Sequence, residues 1–150
     1  MSRTELIQRL RPHRRKLVLS AEATVDSAFS GKYGERPAKT QFSRLVNICG
    51  EASCAEEIAN YLRYQAGRDA KVWPIGFVKA VIQGIEGPLT AIEAEGAPAE
   101  ELDATRVEAW RLYATYLTRA FTYQEAVHKS MKNLNKDPTR GSKGRRGGRR

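Results

Sequence analysis

The chain has 150 residues, 41% of them hydrophobic, which is enough for one domain that buries roughly 68–70% of its unfolded surface. A formal charge of +9 and a pI near 9.8 point to an anionic partner, while two cysteines and two histidines exclude a disulfide framework and a zinc signature. The apolar run Leu17-Val18-Leu19 is cut by Ser20 and Glu22, too short for a signal peptide or for the ~20 residues of a membrane span, so the chain reads as cytoplasmic with no membrane partner.

Strand signals are almost absent and helical periodicity recurs from end to end, so the fold class is all-α. Residues 3 to 11 suggest a short helix stopped by Pro12. A second helix follows over 14 to 29, with Leu17, Ala21, Val25, Ala28 and Phe29 repeating at three and four, and Gly31, Gly34 and Pro37 make a loop. Phe42, Leu45, Val46 and Cys49 sit at i, i+3, i+4 and i+7, the stripe of a core-facing helix, with Gly50 placed for a left-handed stop. Ser53 and Glu56 are spaced as a capping box, so the next helix starts at Cys54 and turns Ala55, Ile58, Ala59, Leu62 and Ala66 inward until Gly67.

Pro74 opens a fourth helix with Phe77, Val78, Val81, Ile82 and Ile85 inward, which Gly87-Pro88 is expected to break, leaving residues 89 to 95 as a separate turn or two. After Gly96-Ala97-Pro98 the longest element runs from about Ala99 to Leu134, the expected spine of a helical bundle of about five helices. Beyond Asp137-Pro138, an arginine- and glycine-rich run has no apolar residue to offset the entropy of ordering and reads as a disordered basic tail. The division is therefore an N-terminal helical arm over 1–38, a bundle core over 39–134 and the tail over 135–150.

Charge follows this division. Residues 1 to 16 carry +5 and residues 129 to 150 carry +8, so the stretch from 17 to 128 is mildly acidic at −4. Basic surface on the folded middle must be a local patch, for which Arg44, Arg63, Arg68, Lys71, Lys79 and Arg119 are the candidates. The densest signal is Tyr61 to Asp69: Tyr61, Gln65 and Arg68 fall on one stripe, and Tyr64 and Arg68, four apart, can stack along one face. A planar cation beside an aromatic ring suits phosphate and nucleobase contact.

Catalytic constellations are missing. The sequence holds no HExxH, no glycine-rich phosphate loop before a helix, and no Ser/His/Asp or Cys/His set that belongs together. His128 with Glu125 at i, i+3 reads as a surface contact. The chain looks like a binder rather than an enzyme, with no cofactor. A helix-turn-helix DNA reader fits the short turn after Gly50, but Glu56 and Glu57 would stand at the reading end of the second helix and repel phosphates.

Three segments together resemble the small helical subunit of the Csm effector complex of type III-A CRISPR-Cas systems. Tyr64-Gln65-Ala66-Gly67-Arg68 is similar to that family's tyrosine-x-alanine-glycine-arginine signature, Thr40 to Leu45 looks like its threonine-x-glutamine-leucine-arginine helix start with one residue shifted, and Tyr116 to Tyr123 is like its closing tyrosine-rich helix. The resemblance spans residues 39 to 129. Thr118 or Arg119 stands where the family has a glutamate, and the long basic ends lie outside its core pattern.

What the resemblance implies is a noncatalytic, multi-copy subunit that stacks along a ribonucleoprotein beside its backbone subunits and holds guide RNA and target RNA by their sugar-phosphate chains. The implied partners are those RNAs, other subunits of the complex and copies of itself. An A-form heteroduplex is recognised through shape and backbone, which calls for arginine and lysine on rigid helices. The expected RNA contacts are Lys39, Arg44, Arg63, Tyr64, Arg68, Lys71, Lys79 and Arg119. Two other classes fit the same composition: a helical adaptor whose basic surface meets an acidic protein, and a DNA- or ribosome-associated helical protein.

Overall fold

A computed structural model of the chain describes residues 1–31 and 36–135. The described residues are all helix and connecting turn: α1 (Arg3–Leu10), a single 3₁₀ turn (Arg11–His13), α2 (Arg14–Phe29), α3 (Lys39–Glu51), α4 (Ala55–Arg68), α5 (Ile75–Ala94) and α6 (Ala99–Asn135). Gly34 of the expected loop and the basic tail from residue 136 onward lie outside the described residues.

The spine is α6, 37 residues and therefore about 55 Å long at 1.5 Å per residue. Helices α2 and α3 lie along it, and α5 packs on α2. Leu17, Ala21 and Val25 of α2 are fully buried, so the N-terminal segment shares its core with the bundle. Its first helix starts cleanly because the Ser2 hydroxyl accepts from the Glu5 amide at 3.1 Å, a serine N-cap.

Aromatic rings fill the centre. Phe42 of α3 meets Phe121 of α6 at 4.7 Å between centroids, Trp73 edge-on at 5.5 Å and Phe77 of α5 at 6.1 Å. Trp73 is fully buried in the turn between α4 and α5, where its amide and that of Val72 both donate to the Asp69 carbonyl. That anchor turns the neighbouring Lys71 outward.

Three local expectations need correction. Gly87-Pro88 does not break α5, which runs through to Ala94 with Pro88 buried. A proline inside a helix costs about 3 kcal/mol. Burial of Ile85, Leu89 and Ile92 around it offsets this, at roughly 1.5–3 kcal/mol for each large apolar side chain.

Gly50 is an interior residue of α3 and is not left-handed; among the described residues only Gly31 and Gly96 have positive φ. The helix ends instead when Ala52 turns extended, its amide still closing the last turn onto the Ile48 carbonyl at 3.0 Å. The capping box is replaced too. Helix α4 starts at Ala55 after an extended Cys54, and the reaching carboxylate is Glu57, which accepts from the Ser53 amide at 2.7 Å.

Candidate nucleic-acid interface

Burial of Ile58, Leu62 and Ala66 fixes the inward face of α4, and the geometry of the helix then sends Arg63, Tyr64 and Arg68 to solvent. The Arg68 guanidinium lies 5.7 Å from the Tyr64 ring centroid and donates to Gln65 Oε1 at 3.2 Å. Tyr64 is 59% exposed, so ring and cation form an open platform. Tyr61 is partly buried, and burial raises its phenol above the ordinary value against the smaller opposing charges of Arg44 and Arg68.

The following turn extends the patch. Asp69 is extended and ends α4, and its Oδ1 accepts from the Lys71 amide at 3.0 Å, spending that carboxylate on the backbone. Arg63 and Lys79 both line a cleft of roughly 500 Å³ between α4 and α5, together with Ala66, Ile75, Val78, Ile82 and the carboxylate of Glu86.

All eight expected contact residues are on the surface, but they do not form one set. Arg63 and Lys79 line one α4–α5 cleft, Tyr64 and Arg68 share the end of α4, Lys71 lies in the turn that follows, and Arg44 is exposed on α3. Lys39 is exposed at the first residue of α3. Arg119 stands 5.9 Å from the Tyr116 ring in a different cleft, between α2 and α6, with Glu22 and Asp26 beside it. Two carboxylates make that cleft a poor host for phosphate.

Ion pairing separates the cations further. Arg3, Arg9, Arg106 and Arg111 each meet a glutamate within 4.0 Å, as does His13. Among the described residues none of Lys39, Arg44, Arg63, Arg68, Lys71, Lys79 and Arg119 has an acidic side chain at that distance. Arg3, Arg9 and Arg106 thus clamp helices together, Arg111 is paired within α6, and the cations among the expected contacts face water. Ile75, 53% exposed at the cleft floor, escaped the sequence reading; its signal was an isoleucine after Pro74 that sits off the buried stripe of Phe77, Val78 and Val81.

Reactive groups are spent elsewhere. Burial pushes the Cys49 thiol up to about 12, His13 Nε2 lies 2.9 Å from Glu95 Oε1, and His128 packs edge-on to Phe29 at 6.0 Å. No group of three His, Cys, Asp or Glu side chains among the described residues could hold a metal ion. By length and composition alone α5 could cross a membrane, yet its apolar stripe of Phe77, Val81, Ile85 and Ile92 lies in the core. Comparison with protein families, with curated proteins and with solved structures gives no match to this chain.

Proposed function

We propose that the chain is a noncatalytic RNA-binding small subunit of a type III-A-like CRISPR-Cas interference complex, stacked in several copies and holding a guide RNA–target RNA duplex by its backbones. The observation that carries the reading is the set of exposed cations Arg44, Arg63, Arg68 and Lys79 on helices and Lys71 in the turn after α4, all without carboxylate partners among the described residues. A packed helical backbone has no main-chain freedom left to lose when its cations meet phosphates, so only side-chain freedom is lost. Their reach is to the sugar-phosphate chain, which a guanidinium or ammonium group contacts whatever the base sequence.

The test is co-purification of the tagged chain from cells that carry a type III system. A discrete guide RNA together with backbone subunits supports the reading. Recovery of protein partners without RNA would assign the patch to an acidic protein surface and end it.

A further inference from the structure

A second group of cations lies apart from the α3–α5 patch and outside the residues assigned to it so far. The N-terminal segment holds seven basic groups between Arg3 and Lys16 when His13 is counted, and the structure sorts them sharply. Arg3 pairs with Glu108, Arg9 with Glu101 and His13 with Glu95, so these three fasten α1 and the 3₁₀ turn to α5 and α6. Arg14 is half-buried, while Arg11, Arg15 and Lys16 are exposed and have no acidic partner among the described residues.

No ion pair among the described residues ties them to the fold. Arg11 and Arg15 are one helical turn apart, a like-charge spacing that opposes helix formation, and the first turn of α2 contains no acidic residue to balance them. Cations in that turn also face the positive end of the helix dipole. Charge kept against local stability marks a surface selected for contact.

We infer that Arg11, Arg15 and Lys16 form a second binding face for the phosphate chain of a nucleic acid, so that one copy of the protein can grip two separate runs of backbone. The His13–Glu95 contact pins this face at the C-terminal end of α5, whereas Lys79 sits one turn into the same helix. Lys79 and Glu95 are 16 residues apart, or about 24 Å along the axis. The exposed Glu86 also lies on α5 between them in sequence, and Glu93 there is already paired with Arg106.

A lipid surface fits less well. A helix that lies in a bilayer interface must offer an apolar face, and Leu17, Ala21, Val25 and Ala28 of α2 are already buried in the core, leaving Leu19 as its one largely exposed apolar side chain. Two guanidinium forks on successive turns match the repeated oxygens of a phosphate chain.

The experiment compares the full chain with two triple variants, Arg11→Gln/Arg15→Gln/Lys16→Gln and Arg63→Gln/Arg68→Gln/Lys79→Gln, in binding to an RNA duplex across a salt series. The first variant is expected to lower the slope of log K against log salt by about two units, independently of what the second does. An unchanged slope in the first variant overturns the second face; an unchanged slope in the second alone overturns the α3–α5 reading and leaves this one standing. Should the first variant fail to fold, acetylation of Lys16 in the unaltered chain decides. Protection by the RNA duplex supports the face, and protection only by phosphatidylserine vesicles, or by neither, overturns it.

Discussion

The Tyr113 hydroxyl of α6 donates to the Val81 carbonyl of α5 at 2.8 Å and lies 3.3 Å from the Thr24 hydroxyl of α2, so one buried phenol ties three helices together. It fits only because residue 84 is glycine. A Cβ built there would collide with the Tyr113 hydroxyl and stand 2.7 Å from Thr24 Oγ1. Gly84→Ala is therefore expected to destabilise despite the better helix propensity of alanine, by about 1–3 kcal/mol of overpacking and roughly 3–12 °C in Tm. Thermal melts followed by circular dichroism check this. A melting temperature raised by alanine would mean that α5 stands off from α2 and α6.

The same helix shows where sequence reasoning succeeds and where it stops. Phe42, Leu45 and Cys49, or Phe77, Val81 and Ile85, reveal buried faces because burial imposes a period on the chain. Pro88 misleads because its local cost is legible while the tertiary burial around it is not. Gly50 fails for a related reason: an extended Ala52 ends α3 with no left-handed residue, and nothing in the spacing announces it. At the interface, Arg63, Tyr64 and Arg68 follow from the pattern of α4 itself. That Lys79 shares a cleft with Arg63, and that Arg119 belongs to the α2–α6 cleft with Glu22 and Asp26, depends on how helices cross, which spacing along one chain does not encode.

Arg106 of α6 is the main electrostatic clamp between helices, with Nη1 3.2 Å from Glu56 of α4 and Nε 3.1 Å from Glu93 of α5. Both carboxylates are substantially exposed, so Arg106→Gln is expected to cost only about 1 kcal/mol at neutral pH. The Glu56 carboxyl is held below its ordinary value first by its own backbone amide at the start of α4 and then by the Arg106 charge. A depressed carboxyl contributes stability above its ordinary value of 4.5 and loses it as pH falls through the lowered one. Urea titrations of parent and variant should differ at pH 7 and converge near pH 3. A gap that persists in acid would assign the loss to packing.

The two thiols should be distinguishable by reaction. Cys54 is half-buried, whereas Cys49 is buried in α3 and burial raises its thiol to about 12. At pH 8 roughly one Cys49 in 10⁴ is thiolate. A disulfide reagent is expected to modify one cysteine in the native chain, mapped to Cys54 by peptide mass, and the second only when urea unfolds the protein. Equal rates for both would show that α3 opens readily from α6.

Arg68 offers the most discriminating substitution in the proposed interface, because its two contacts use different properties of the side chain. Its charge can serve any phosphate within reach, but its place 5.7 Å from the Tyr64 ring and its bond to Gln65 Oε1 use the planar fork. Arg68→Ala removes both and is expected to lower the salt slope of RNA binding by about one unit as well as the affinity. Arg68→Lys keeps the charge and loses the fork, so the slope should match the parent while affinity drops several-fold. If lysine restores affinity in full, the platform with Tyr64 plays no part in binding, and charge alone explains the site. If alanine leaves both slope and affinity untouched, the end of α4 lies outside the RNA interface, and the contact surface must be sought on α2.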